Sequence, residues 1–98
     1  MSAGKSISTE ATVVAVKDQV SCTLENEVVI LHLQQGLYYG LNEVGAAVWN
    51  AVQQPQTVEV LRGLILENFE VSPEQCQRDL MELLQDMAKA GLIEVRNE

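Results

Sequence analysis

Histidine occurs once in the 98 residues, at position 32, and cysteine twice, at positions 22 and 76. Each scarcity closes off a class of function. The two cysteines are too far apart to form a C-x-x-C pair, and His32 joins them in no common zinc spacing, so no metal site is expected. Isolated cysteines in such a chain read as small core residues. No apolar run approaches the ~20 residues that a membrane span requires. The first ten residues, "MSAGKSISTE", lack the apolar segment of a signal peptide, so the expected location is cytoplasmic. Bases are also short: six Lys and Arg stand against fourteen Asp and Glu, a net charge of -8. That balance favours solubility and repels nucleic acid and anionic membranes.

The signatures of catalysis are missing as well. The one histidine lies inside a strand pattern, where a structural role is the simpler reading. No Ser, Cys or Lys sits in a nucleophile signature such as G-x-S-x-G, and no Gly-rich loop opens a helix as a phosphate cradle would. The expected protein is not an enzyme and needs no cofactor.

What remains is a foldable chain, 47% apolar and long enough for one domain. After the polar opening, expected to be frayed, "ATVVAVKDQ" offers a short extended segment closed by Lys17-Asp18-Gln19. "VSCTLENEVVILHL" reads as two β-branched runs around a turn at Glu25-Asn26-Glu27. In the second run Val28, Ile30 and His32 point one way and Val29, Leu31 and Leu33 the other, as in a strand covered at least in part on both faces. "QQG" at 34 to 36 makes a hairpin turn with Gly36 available for positive φ, and "LYYGL" is the third strand of a small antiparallel meander.

From Asn42 the period becomes helical. Asn42 caps the first helix, with Glu43 in its first turn; Val44, Ala47, Val48 and Ala51 form its inward stripe and Trp49 flanks it. Pro55 ends that helix. Thr57 caps the second, which turns Val58, Leu61, Leu64, Ile65 and Phe69 to the core. Ser72-Pro73-Glu74-Gln75 is a capping-box start for the third, striped by Cys76, Leu80, Leu83, Leu84 and Met87. Gly91 stops it, with Leu92 folding back on Met87, and "LIEV" supplies one short closing strand.

The expected fold is therefore α+β and winged-helix-like, a small three-stranded antiparallel sheet followed by a three-helix bundle. Such a shape raises the possibility of DNA binding. The third helix, however, carries Arg78 and Lys89 against Glu74, Asp79, Glu82 and Asp86, and cannot displace phosphate counterions. A winged-helix module for protein interaction or transcription is an alternative that these residues leave open.

"VVILHLQQGLYYGLNEVGAAVWNAV" followed by "TVEVLRGLILENFEVSPEQCQRDLMELLQDMAKAGLI" resembles the PqqD-like family, small peptide-binding proteins of ribosomal peptide natural-product pathways that are also called RiPP recognition elements. The resemblance rests on the "YYGLN" strand-to-helix junction, the Trp of the first helix, "TVEVLRGL", and the D-L-x-x-L-L-x-x-M-x-x-x-G-L-I ending. It is greatest to the stand-alone members found beside lasso-peptide proteases. It implies an N-terminal segment over residues 1–19, weakly ordered or a short strand, and a peptide-binding domain over 20–98. It further implies that the leader of a precursor peptide adds as a strand along Leu37, Tyr38, Tyr39 and Gly40. The wall of that groove would be the third helix, at Arg78, Asp79, Glu82, Leu83 and Asp86. The bound precursor would pass to a modifying enzyme such as a transglutaminase-like cysteine protease or a radical SAM enzyme. Neither nucleic acid nor a membrane is an expected partner.

Overall fold

The switch from alternating to helical spacing at Asn42 is where the backbone itself changes. The structure, a computed structural model, describes residues 7–17, 19–24 and 27–96. In chain order its elements are β1 (Thr12–Ala15), β2 (Gln19–Leu24), β3 (Glu27–His32), β4 (Leu37–Leu41), α1 (Glu43–Ala51), β5 (Gln56–Thr57), α2 (Val58–Asn68), α3 (Pro73–Lys89) and β6 (Ile93–Arg96). Of the ten-residue polar opening expected to be frayed, residues 1–6 lie outside the described residues, as do the closure at Asp18 and the turn at Glu25-Asn26. Residues 7–10 are not frayed, because Ile7 is buried in the core, Ala11 N–H donates to Ser8 O and Glu59 N–H donates to Thr9 O.

The meander is present as β2-β3-β4, and beside it stands a second three-stranded antiparallel sheet, β5-β1-β6. In the sequence "ATVVAVKDQ" and "LIEV" read as separate extended pieces. In the fold they are partners: Val13 lies opposite Val95 and Ala15 opposite Ile93. Each is too short to hold itself, since an isolated ribbon is marginal in water. Val13 is fully buried and Ile93 nearly so, which ties the start of the described chain to its end.

Helix boundaries follow local chemistry. Asn42 Oδ1 accepts from Gly45 N–H at 3.0 Å, Thr57 Oγ1 from Val60 N–H at 3.2 Å, and Ser72 Oγ from Gln75 N–H at 3.1 Å. Each cap is worth about 1 kcal/mol. At α2 the remaining first-turn donors are served by the segment before β1: Val58 and Glu59 donate to the carbonyls of Ala11 and Thr9. Helix α3 ends in a Schellman motif, with Gly91 at φ 77, Gly91 N–H on Ala88 O and Leu92 N–H on Met87 O.

One core joins all of this. It holds Val28 and Ile30 from β3, Val58, Leu61 and Ile65 from α2, and Cys76, Leu80, Leu84 and Met87 from α3. The stripe of α1 is turned from the expected one: Ala46, Val48, Trp49 and Val52 are buried, whereas Val44, Ala47 and Ala51 are only half-buried. Trp49 is not a flank but part of the core, 2% exposed and among its largest fully buried side chains, and apolar area gains most where water is excluded. In α2, Leu66 joins the core margin along with Phe69, while Leu64 is half-buried. Cys22 is exposed rather than core, and Cys76 is buried.

Candidate functional site

Residues on β4 acquire their directions from its pairing with β3. Leu37, Tyr39 and Leu41 lie opposite His32, Ile30 and Val28, on the core face. Tyr38 and Gly40 lie opposite Leu31 and Val29, on the outer face. The two tyrosines thus have different work. Tyr39 packs against the core margin, and its hydroxyl donates to Gln35 Oε1 at 2.9 Å. Tyr38 is 71% exposed. Gly40 is exposed, and a Cβ there would meet no atom within 4 Å.

Among the described residues β4 pairs only with β3, so its other edge presents unused N–H and C=O groups. Natural proteins commonly guard such an edge with charge, proline or a bulge. "LYYGL" has none of the first two. The hairpin turn that launches the strand is held firmly: Gly36 takes φ 68 and donates to His32 O at 2.8 Å, and Gln35 N–H donates to His32 Nδ1 at 3.3 Å. This turn abuts the end of α3, where Gly91 lies against His32 and Gln35.

The α3 candidates divide by face. The helix buries Cys76, Leu80, Leu84 and Met87. At 3.6 residues per turn, Leu83, Asp79, Asp86 and Glu82 follow one another around a single flank of that stripe, and Arg78 lies nearly opposite the core. Leu83 packs at the core margin; Arg78, Asp79, Glu82 and Asp86 are exposed. The five therefore form one continuous arc, with Leu83 at its core end and Arg78, four residues before Glu82, at its outer end.

The expectation of at least partial cover on both faces of β3 holds unevenly. Val29 and Leu31 are half-buried, and beside them on the outer face Val20 is 56% exposed and Cys22 is exposed. Helix α1 packs on the other side of the sheet, the side that carries Val28 and Ile30. Alternation alone could not reveal this, because apolar residues on both faces read the same whether or not anything covers the second. Among the described residues no group of three His, Cys, Asp or Glu side chains is placed to hold a metal ion. No helix among them is long and apolar enough to cross a membrane.

A small α+β domain of winged-helix-like shape, with a sheet edge open among the described residues and the turn before it lying against the residue that ends α3, is the class defined by these features. A family model described as coenzyme PQQ synthesis protein D (PqqD) matches residues 27–93, and the chain belongs to that family. The solved structure of TbiB1 in complex with the TbiA(beta) leader peptide is similar over 83% of this chain and 94% of that one, with a TM-score of 0.76 and 32% sequence identity. Lasso peptide synthetase B1 complexed with the leader peptide shares the fold over 84% of this chain and 96% of its own, with a TM-score of 0.73 and 16% identity. Comparison with curated proteins gives no match.

Proposed function

We propose that this chain is a non-catalytic carrier that binds the leader region of a ribosomal precursor peptide as an added strand on β4 and delivers it to a modifying enzyme. The observation that carries this reading is the unpaired, uncharged edge of β4. Membership of the PqqD family supports it, as do two solved relatives that hold leader peptides. The groove consists of Leu37, Tyr38, Tyr39 and Gly40 on the strand side. On the helix side it consists of Leu83 with Asp79, Glu82 and Asp86, and Arg78 at its outer limit. The receiving enzyme is of the kind that cleaves or alters such peptides, a transglutaminase-like cysteine protease or a radical SAM enzyme.

Strand addition supplies sequence-independent affinity through main-chain hydrogen bonds. About five such bonds at ~1 kcal/mol net each give roughly 5 kcal/mol. Micromolar binding needs about 8 kcal/mol. Side-chain pockets make up the difference, and the exposed Leu37 and Tyr38 are the apolar surface available at the edge. The direct test is fluorescence polarisation with a labelled leader. Tyr38→Ala should weaken binding about tenfold or more, and Glu74→Ala by less than about twofold. Equal losses would remove the assigned groove.

A further inference from the structure

Between the two sheets lies a cleft of about 560 Å³ that the strand-edge reading leaves unused. Its walls are Val14, Ala15, Val16 and Lys17 at the end of β1, Glu94 and Arg96 on β6, Pro55, and His32, Gln34 and Gly91. Among the described residues two bases and one acid line this concavity, a local positive excess in a chain of net charge -8. Glu94 holds Arg96 from one side only, with Oε1 3.7 Å from Nη2 and both side chains mostly exposed. The guanidinium therefore keeps donors for another carboxylate, and Lys17 is exposed with it. A concave site of one sign concentrates ligands of the other.

The position of the cleft gives this charge a use. His32 is both a wall of the cleft and the partner of Leu37, where β4 begins. Gly91 is both a wall of the cleft and the end of α3. A peptide that followed β4 and ran on past Leu37 would reach His32 and Gly91 at this cleft. Lys17 stands at the near end, where Val16 N–H donates to Leu92 O, and Arg96 farther along β6, opposite Thr12. Resting on the strand-addition reading, we propose that this cleft is a second subsite for the bound peptide. It takes an acidic side chain, Asp or Glu, from the residues that continue beyond the Leu37 end of β4. Leader recognition is then polar: the α3 flank favours bases along the paired segment, and the cleft favours an acid after it.

The experiment uses the full chain and, as the probe, the fluorescein-labelled TbiA(beta) leader peptide that the similar TbiB1 holds. The double variant Lys17→Glu/Arg96→Glu should weaken binding about tenfold, whereas Lys89→Glu, the same kind of reversal outside the cleft, should change it less than about twofold. Replacing the leader's acids beyond the paired segment by Gln or Asn should cost a similar factor and abolish the effect of the double variant. Circular dichroism verifies folding, and Lys17→Gln/Arg96→Gln, with an expected loss of about threefold, replaces any misfolded reversal. Unchanged affinity of the cleft variants, an equal loss with Lys89→Glu, or a leader without such an acid overturns the subsite. No binding by the unaltered chain overturns the leader-binding reading instead.

Discussion

The imidazole of His32 packs on Gly91: a Cβ added to Gly91 would stand 3.4 Å from His32 Nε2. The last residue of β3 thereby meets the residue that stops α3, and His32 Nδ1 meanwhile accepts from Gln35 in the turn before β4. One side chain joins the turn before the open strand to the glycine that ends α3. The lone histidine is structural in this arrangement, as its strand position implied.

Gly91 should therefore resist substitution more than Gly36 does. Both have positive φ, and alanine in that region costs about 1–2 kcal/mol from backbone strain alone. Nothing lies within 4 Å of a Cβ at Gly36, whereas one at Gly91 comes to 3.4 Å from His32 Nε2, the near limit of ordinary contact, and to 3.7 Å from Gln35 Nε2. Urea unfolding should place Gly91→Ala below Gly36→Ala; the reverse order would show that the contact is slack.

Gly63 offers the opposite outcome. It lies within α2, and a Cβ there meets nothing within 4 Å. Gly63→Ala should raise stability by about 0.5–1 kcal/mol through helix propensity, visible as a higher urea midpoint at unchanged slope.

The tyrosines should separate folding from binding. Tyr38→Ala removes an exposed ring and should leave the unfolding midpoint within about 0.5 kcal/mol while weakening the leader. Tyr39→Ala loses core-margin packing and the bond to Gln35, and should destabilise by about 1–3 kcal/mol. Indistinguishable effects on unfolding would contradict the two faces assigned to β4.

Charge should show in salt. Exposed Asp79, Glu82 and Asp86 on one flank of α3 favour a leader with Lys or Arg in its paired segment. Raising salt from ~0.05 to ~0.5 M shortens the screening length severalfold and should weaken such a leader. A salt-independent affinity would leave only the main-chain and apolar contributions.

The cysteines should differ in reactivity. Burial pushes the Cys76 thiol up, with Arg62 opposing the rise and Asp79 adding to it. Alkylation at mildly alkaline pH should mark exposed Cys22 and spare Cys76 until the chain unfolds. A raised pKa in the folded state contributes stability below the ordinary thiol range and loses it as pH rises through that range. Cys76→Ala should flatten this alkaline decline, a change readable in urea midpoints taken above pH ~9.

Much of the architecture was legible because it is local. Asn42, Thr57 and Ser72 each start a helix at the residue whose side chain can accept an amide, and Gly36 and Gly91 stop an element where φ must be positive. The strand faces of β3 followed from alternation, so Val28, Ile30 and His32 were placed correctly. The stripe of α1 was placed only in part: Val44, Val48 and Ala51 do meet the core, but Ala46 and Trp49 are more buried than Ala47, because a small residue such as Ala46 or Ala47 is tolerated on either side. Burial of the large Trp49 in the common core fixes the rotation. The exposure of Cys22 escaped for a related reason: a lone small residue carries no sign of its surroundings.

Order and kind of element, helix ends, and the want of charge along residues 37–41 are properties of short stretches, set by dihedral preference and capping chemistry, and the chain carries them in its own letters. That β4 is an edge, that β1 closes on β6, and that Lys17 and Arg96 share a cleft are decided only on folding. Those outcomes depend on which distant segments compete for the same hydrogen bonds and the same apolar area, and no window along the chain contains both competitors.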